Sequence, residues 1–399
     1  MLPIGPQEID ALTELLKNIA DTSLARAARF LRSGGLVAFP TETVYGLGAD
    51  ASSAEAVRQI YRVKGRPSSD PLIVHVASLE NAERLVDTSL ANSWQLDVLR
   101  SLAEEFWPGP LTIILPAHPS LVAFEVTSGT GWVGLRSPAH PIAQRFLQLC
   151  EVPVAAPSAN TFGHVSPTTA EHVVNDFPHV DNLWILDGGR CGFGIESTVV
   201  RVNSDQTLDI FRRGGVGLQQ ISENLLRSGL LDETHRKKIR VVSRFAAEQE
   251  TAAQPAPGQL LVHYAPRIPA HMVRLTDILN VNEDTEKLFG GSAAEKNTVV
   301  LDFAGYLSAL RDMVGFYRDL SPGGDPREAA HALFDALRWA EDVANQQGHL
   351  WIFDPAVCTQ LLGDEIFLAL QDRIVRAASG RKAEISLKRD SDRVYVLIR

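Results

Sequence analysis

Short apolar runs alternate with polar and glycine-containing segments along the first half of the chain. The first of them, LVAF at Leu36–Phe39, is continuous, which is typical of a strand that is buried on both faces. Seven more runs predict strands in the same way: Leu72–Val76, Leu111–Leu115, Trp132–Arg136, Val152–Ala156, Leu183–Asp187, Ser197–Val202 and Leu208–Arg212. Helical patterns separate several of these runs, so the pattern predicts an α/β layer fold.

Two helices are predicted around the first strand. Apolar side chains recur on one face of the stretch Asp21–Arg32, and a glycine follows it. Ser52 and Glu55 have the spacing of a capping box, which predicts that a second helix begins there and ends near KGRP at Lys64–Pro67. Between the strand and this helix, PTETVYGLGADA reads as a polar loop that leads into a glycine-rich turn.

A change of pattern divides the chain into two units. Its 399 residues exceed the ~250 to 300 that a single hydrophobic core usually serves. From about His235 to Pro269 the periodicity fades into a segment rich in Ala, Gln and Pro. Strand and helix patterns then resume with NTVVLDFA and GHLWIFD. We therefore predict a first domain at 1–234, a linker or lid at 235–269 and a smaller α/β domain at 270–399.

Composition narrows the class of protein. Apolar residues make up 45% and charged residues 22% of the chain, as in a folded enzyme, and no apolar stretch reaches the ~18 residues of a membrane helix. The N-terminus has none of the features of a secretory signal, so we expect a cytoplasmic protein. The three cysteines lack the spacing of metal ligands and predict free thiols. A net charge of -10 argues against a protein that coats nucleic acid.

Several familiar catalytic motifs do not occur in the sequence. It has no GxxxxGK[ST], GxGxxG, HExxH or GxSxG pattern, so any nucleotide must be held in another way. Polar side chains instead lie at the ends of the predicted strands, where an open α/β sheet builds its binding crevice, and at the end of the second predicted helix, in the case of Lys64 and Arg66. These are Thr41, Thr43, Lys64, Arg66, Arg136, Ser158 and Asn160. Ser166 and Pro167 also predict the start of a helix whose free amides suit an anion.

Three cations of that set, together with Arg212 at the end of a later predicted strand, suggest a polyanion site. Lys64, Arg66, Arg136 and Arg212 in one cleft match a nucleotide triphosphate, since arginine holds oxygens in bidentate fashion. Taken singly, each of them is more often a surface cation. The pattern of charges alone leaves both interpretations open.

The residues of these segments resemble a known family. Taken together and in this order, the following motifs resemble the L-threonylcarbamoyladenylate synthase family: PTETVYGLGADA, KGRP with PLIVHV, FWPGPLT, APSAN, SPTTAEHV, DGG and ESTVV. PGQLLVHYAP and the C-terminal unit resemble the long, two-domain branch of that family. The resemblance implies a YrdC-like twisted mixed sheet with flanking helices, followed by a smaller Rossmann-like C-terminal α/β domain.

The resemblance also implies a reaction. The family condenses L-threonine, bicarbonate and ATP to threonylcarbamoyl-AMP and pyrophosphate, a nucleotidyltransferase reaction that serves the threonylcarbamoyladenosine modification of tRNA. Magnesium is expected with ATP, and the sequence shows no dedicated metal site. The product would pass to a tRNA threonylcarbamoyltransferase complex, and direct RNA binding stays open. Two alternatives are a related carbamoyltransferase that forms carbamoyl adenylate and a non-catalytic RNA-binding protein.

Individual site residues follow from the resemblance, position by position. The residues implied in catalysis are Lys64, Arg66, Ser158 and Asn160. Those implied in L-threonine binding are Thr43, His75, Arg136, Ala156 and Ser197. Those implied in ATP binding are Arg66, Asp70, Trp132, Ser158, Ser166, Arg212 and Tyr264, the last of which belongs to the linker and would close over the nucleotide.

Three positions depart from the family pattern. Asp70 stands where the family often has a neutral or basic donor, and its carboxylate would repel phosphate unless Arg66 or a metal intervenes. Arg213 replaces the usual proline of a turn, and Leu260–Val262 lacks the lysine-rich character common before HYAP. These departures bear on how the site binds the nucleotide.

Overall fold

The computed structural model describes residues 21–232, 238–242, 253–256, 263–276, 288–289, 297–344, 348–390 and 393–398. Within these ranges the chain forms two sheets with helices packed against them. The predicted N-terminal features at 1–20 and the departure at Leu260–Val262 lie outside the described residues, as does much of the predicted linker.

The first sheet is mixed, and ten of the described segments form it. Its strands are β1 (Leu36–Phe39), β2 (Gly46–Asp50), β3 (Ile73–His75), β4 (Leu111–Pro116), β5 (Trp132–Arg136), β6 (Val154–Ala155), β7 (Leu183–Ile185), β8 (Thr198–Val202), β9 (Leu208–Arg212) and β10 (Ile239–Val241). They lie in the order β10-β9-β8-β4-β5-β3-β6-β2-β1-β7. All eight predicted apolar runs contain a strand, and β10 extends the sheet into the predicted linker by pairing with β9.

Helices join and flank these strands. They are α1 (21–32), α2 (Ala54–Lys64), α3 (Leu79–Glu83), α4 (Ser93–Phe106), α5 (Phe124–Thr127), α6 (Pro141–Cys150), α7 (Ala170–Asp176) and α8 (Leu218–Arg227). In α2 the N-cap is Ser53, whose side chain accepts from the amide of Ala56 at 3.3 Å. The predicted cap, Ser52, instead donates to the Asp50 carboxylate. The helix ends at Gly65, whose positive φ of 64° suits glycine.

Two other local predictions were wrong. Ser166 does not begin a helix, because α7 starts three residues beyond Pro167 with Thr169 as its N-cap. The GLGAD segment, predicted as a turn, is strand β2, which pairs antiparallel with both β1 and β6. A Cβ at Gly48 would lie only 2.9 Å from the Val154 side chain, so glycine permits these strands to pack closely.

The second sheet forms the C-terminal domain. Its described strands are β11 (Ala270–Thr276), β12 (Leu288–Phe289), β13 (Thr298–Asp302), β14 (Phe316–Asp319), β15 (His349–Phe353), β16 (Lys382–Asp390) and β17 (Arg393–Ile398). Five of them, in the order β16-β11-β15-β13-β14, are parallel. Helices α9 (Pro326–Ala344) and α10 (Glu365–Ala377) pack together beside this sheet. The expected mixed sheet with a smaller Rossmann-like domain is confirmed.

The two domains share a hydrophobic core. Val44, Val165 and Ile195 belong to the first domain by sequence, yet they are buried with the apolar residues of the second sheet and its helices. Tyr264, from the predicted linker, is buried in the same cluster, and the centroid of its ring lies 5.2 Å from that of the Phe334 ring. The C-terminal domain is therefore packed directly against the segments that follow β1 and precede β8.

Candidate active site

One pocket, which we call the main pocket, lies where several strands of the first sheet end. Six predicted site residues line it: Arg66, His75, Arg136, Ala156, Ser158 and Arg212. Thr41 lines it as well, together with Glu196 and His263, which the sequence analysis did not single out. Of the four cations predicted in one cleft, Arg66, Arg136 and Arg212 line this pocket, and Lys64 lies behind its wall.

Arg136 is held by the loop between β1 and β2. Its guanidinium donates to Glu42 at 2.7 Å and to the Thr43 hydroxyl at 3.0 Å. The hydroxyls of Thr41 and Thr43 are 2.8 Å apart, and Thr41 also accepts from the amides of Thr43 and Val44. The two threonines thus fold the loop against Arg136. Glu42, the residue between them, was missed, and its position inside the PTETVYG motif was the available signal.

Arg66 is paired with Asp70 beside the pocket. Their closest side-chain atoms are 2.9 Å apart, and both side chains are buried. Arg66 also donates to the main-chain oxygens of Asp70 and Pro71 at 3.0 and 2.9 Å. Because the guanidinium neutralises the Asp70 carboxylate, this departure from the family pattern places no uncompensated negative charge at the pocket.

Lys64 supports the APSAN loop from behind. Its ammonium donates to the main-chain oxygen of Ser158 at 2.6 Å and to that of Asn160. Burial and the neighbouring Arg66 hold the pKa of Lys64 well below its usual value. Asn160 in turn donates to the oxygens of Thr161 and His164 at 2.8 and 2.9 Å. The described contacts of Lys64 and Asn160 position Ser158, and direct catalytic roles for them stay a prediction.

His75 forms an uncharged part of the pocket wall. Burial, and to a smaller extent the nearby Arg136, lower the pKa of His75 to about 3. Its ring packs edge-on against Phe39, with centroids 5.8 Å apart. Its Nδ1 is buried and has no hydrogen-bond partner among the described residues. At neutral pH the imidazole is therefore uncharged.

Arg212 is anchored at the end of β9. It donates to the main-chain oxygen and the hydroxyl of Ser197 at 3.0 and 3.1 Å, and Ser197 lies 2.8 Å from the Thr112 hydroxyl. Burial lowers the pKa of Arg212. Glu196, which precedes Ser197 in the chain, accepts a hydrogen bond from the Ser166 hydroxyl at 2.9 Å. Ser166 and Ser197 therefore support residues of the wall, and neither is part of the lining itself.

Two predicted nucleotide contacts lie apart from the lining. Tyr264 is fully buried, which raises the pKa of its phenol to about 12, and its neighbour His263 lines the pocket. Trp132 begins β5, four residues from Arg136, and four residues of strand span about 13 Å. Its half-buried ring carries the Arg201 guanidinium 5.4 Å away. Contacts of both residues with a nucleotide stay predictions.

The described part of the chain contains no group of three or more His, Cys, Asp or Glu residues placed to hold a metal. In the same residues, no helix has the length and apolar character needed to cross a bilayer.

Family models match both domains of the chain. Residues 29–214 match a model named after Sua5, YciO and YrdC and described as "Telomere recombination". Residues 218–379 match the "Threonylcarbamoyl-AMP synthase, C-terminal domain" model.

Individual proteins are similar over most of the chain. The threonylcarbamoyl-AMP synthase of Bacillus subtilis is 33% identical over 384 residues, which are 94% of this chain and 97% of that protein. The synthase of Pyrococcus abyssi is 40% identical over 250 residues, 63% of this chain and 67% of that protein. The crystal structure of P. abyssi Sua5 complexed with L-threonine superposes with a TM-score of 0.71 at 31% identity, covering 91% of this chain and 96% of that one.

Proposed function

The chain belongs to the two-domain Sua5 family of threonylcarbamoyl-AMP synthases, which are transferases, and on that premise we propose how its main pocket performs the reaction. L-threonine, bicarbonate and ATP combine there into threonylcarbamoyl-AMP, pyrophosphate and water. The threonine amine and bicarbonate form a carbamate, whose oxygen attacks the α-phosphorus of ATP as the bond to pyrophosphate breaks. The step is a nucleotidyl transfer.

The observation that carries this proposal is the convergence of three buried arginines on one pocket. Arg66, Arg136 and Arg212 line it, although they come from three separate segments of the chain. Bicarbonate, the carbamate formed from it, the threonine carboxylate and the ATP triphosphate are all anionic, and they repel one another when they are brought together. Fixed guanidinium groups in a buried site offset that repulsion without needing to reorganise during the reaction.

The neutral His75 fits the other substrate. A threonine side chain presents a hydroxyl and a methyl group, which an uncharged imidazole beside the apolar Ile73 and Ala156 matches better than a cation would. A pocket built to hydrogen-bond a hydroxyl discriminates strongly against valine, because bound valine would leave the polar groups of the pocket without a partner.

Magnesium would enter with the triphosphate. The carboxylates near the pocket are Glu42, Asp70 and Glu196, and each is paired with an arginine. This pairing favours a metal held mainly by phosphate oxygens and water, as is usual for magnesium with nucleotides. When bound, the metal supplies charge neutralisation at the leaving pyrophosphate.

A pyrophosphate-release assay tests the proposal. The purified full chain is given ATP and magnesium with threonine, bicarbonate, both or neither, and with valine in place of threonine. We expect release only when threonine and bicarbonate are both present. Release that depends on carbamoyl phosphate would instead support a carbamoyltransferase. RNA binding without any turnover would support a non-catalytic role. We further propose that the product passes to a separate tRNA-modifying transferase complex in the cytoplasm.

A further inference from the structure

One arginine of the C-terminal domain reaches the wall of the main pocket. Arg373 lies on α10, and it is the largest side chain among those fully buried in the described structure. Its Nε donates to Glu196 at 3.3 Å, across 177 residues of sequence, and its Nη1 donates to the main-chain oxygen of Arg213 at 2.6 Å. Both acceptors belong to the first domain.

Glu196 connects this arginine to the pocket. Glu196 lines the pocket, and its carboxylate divides its two oxygens between partners, with Oε2 bound to Arg373 and Oε1 to the Ser166 hydroxyl. The next residue, Ser197, anchors Arg212 through both its main-chain oxygen and its hydroxyl. The orientation of Glu196 is therefore coupled to the position of a lining arginine.

Arg373 also lies against the linker segment. Its guanidinium carbon is 5.8 Å from the centre of the Tyr264 ring, and that ring packs edge-on against His263 with centroids 4.0 Å apart. His263 lines the pocket. One side chain of the second domain thus touches two of the segments that complete the wall.

Charge explains why an arginine is needed there. Glu196 is buried, and a carboxylate with no counter-ion would repel an anionic substrate in the low-dielectric interior. A buried ion pair seldom stabilises a protein more than apolar residues of the same size would. Stability alone therefore does not explain why the Arg373–Glu196 pair is buried here.

We propose that Arg373 is a positioning residue through which the C-terminal domain completes the main pocket: it neutralises and orients Glu196 and holds the His263–Tyr264 segment beside it. The proposal rests on the proposed function, since it assumes that anionic substrates occupy the pocket. It assigns the C-terminal domain a direct part in substrate binding. The competing explanation is that Arg373 only docks the two domains.

The test compares three variants of the full chain with the wild type. R373M removes the guanidinium, and E196Q/R373M removes both charges. The control, E365Q, breaks the ion pair between Glu365 and Arg213. Glu365 lies on the same helix as Arg373 and at the same domain interface, but it does not line the pocket. Steady-state pyrophosphate release gives kcat and KM for ATP and threonine, and ATP-dependent thermal stabilisation gives substrate binding without turnover.

We expect R373M to lower kcat/KM by about 100-fold, as misplacement of binding groups does. KM should rise more than kcat falls, and ATP should stabilise the variant less. E196Q/R373M should recover at least about tenfold of that loss, because the uncompensated carboxylate is gone. E365Q should stay within about twofold of the wild type. If R373M does not fold, R373Q, which also removes the charge, takes its place: reduced kcat/KM at an unchanged melting temperature supports the proposal, and wild-type kinetics overturns it.

Other outcomes would overturn the positioning role. Wild-type kinetics in R373M, an equal loss in E365Q, or no recovery in the double variant would each leave domain docking as the explanation. A wild-type chain without threonine- and bicarbonate-dependent release would instead contradict the proposed function. ATP-dependent stabilisation separates the two cases, because it is measured without turnover.

Discussion

At the scale of single residues, three ion pairs with a buried arginine lie at the main pocket. Arg66 pairs with Asp70, Arg136 with Glu42, and Arg373 with Glu196. Each carboxylate cancels part of the positive charge that the arginines bring to the site. The pocket thereby keeps guanidinium groups in fixed places without burying several uncompensated cations, which would destabilise the fold.

The Arg66–Asp70 pair leads to a prediction that separates stability from activity. R66A leaves the Asp70 carboxylate buried without the guanidinium, which should lower the free energy of unfolding by about 3 to 5 kcal/mol. R66A/D70N removes both charges and should regain most of that stability. Neither variant should release pyrophosphate, because one of the three arginines that line the pocket is absent from both.

Urea unfolding and pyrophosphate release measure the two properties independently. Restored activity in R66A/D70N would mean that Arg66 acts only through Asp70 and does not contact the substrates. Equal stability of R66A and the wild type would contradict the pairing itself.

At the scale of elements, the helix that leads to Lys64 and Arg66 depends on its first turn. Ser53 caps α2 by accepting from the amide of Ala56, and the neighbouring Ser52 binds only the Asp50 side chain at the surface. A capping side chain satisfies a main-chain donor that the helix leaves unpaired.

S53A and S52A are matched variants for this cap. S53A should lower the free energy of unfolding by about 1 kcal/mol, as the loss of an N-cap does. S52A, which removes an exposed contact, should change it by less than about 0.5 kcal/mol. Chemical denaturation of both variants shows which serine caps the helix. A larger loss of unfolding free energy in S52A than in S53A would show that the helix begins one residue earlier.

At the scale of the whole molecule, an ionic cluster joins the domains away from the pocket. His164 lies 2.7 Å from Asp176 and 2.9 Å from Glu341 of α9, and Asp176 also pairs with Arg338 and Arg267. Burial opposes a charged imidazole here, but the hydrogen bonds to Asp176 and Glu341 outweigh it, so the pKa of His164 is raised.

The raised pKa gives the cluster a defined dependence on pH. Because the folded protein holds this proton more tightly than the unfolded chain, the stability it contributes is fully present below about pH 6.5, the unfolded pKa of histidine. That stability is lost as pH rises through the folded pKa, with a slope of at most ~1.4 kcal/mol per pH unit. H164Q does not titrate and should remove this part of the slope.

Unfolding free energies at pH 6.0, 7.0 and 8.5 check the prediction. H179Q is the control, since His179 is an exposed histidine of the same domain, and it should keep the wild-type slope. A slope in H164Q equal to that of the wild type would show that His164 does not carry the proton.

Local pattern was enough to place most of the elements and to identify the family. Strands at Leu36–Phe39, Trp132–Arg136 and Leu208–Arg212 have the predicted bounds, because each is a short, mainly apolar run that turn-forming residues bound on both sides. The motifs likewise sufficed for the family, which the comparisons confirm. Six of the predicted site residues line one pocket, since five of them end or follow strands whose ends converge and Arg66 follows helix α2 beside them.

Only the tertiary structure decided which side chains form the wall and which support it. GLGAD has poor strand propensity and becomes β2 because β1 and β6 supply hydrogen bonds on both sides. The sequence places Lys64 among the cations of the site, and only the structure shows that its ammonium donates to the main chain of the APSAN loop; a direct contact with phosphate stays a prediction. The pairing of Glu196 with Arg373 spans 177 residues, and no local periodicity encodes a contact between domains. Such contacts depend on how the finished layers pack, which is a property of the whole chain.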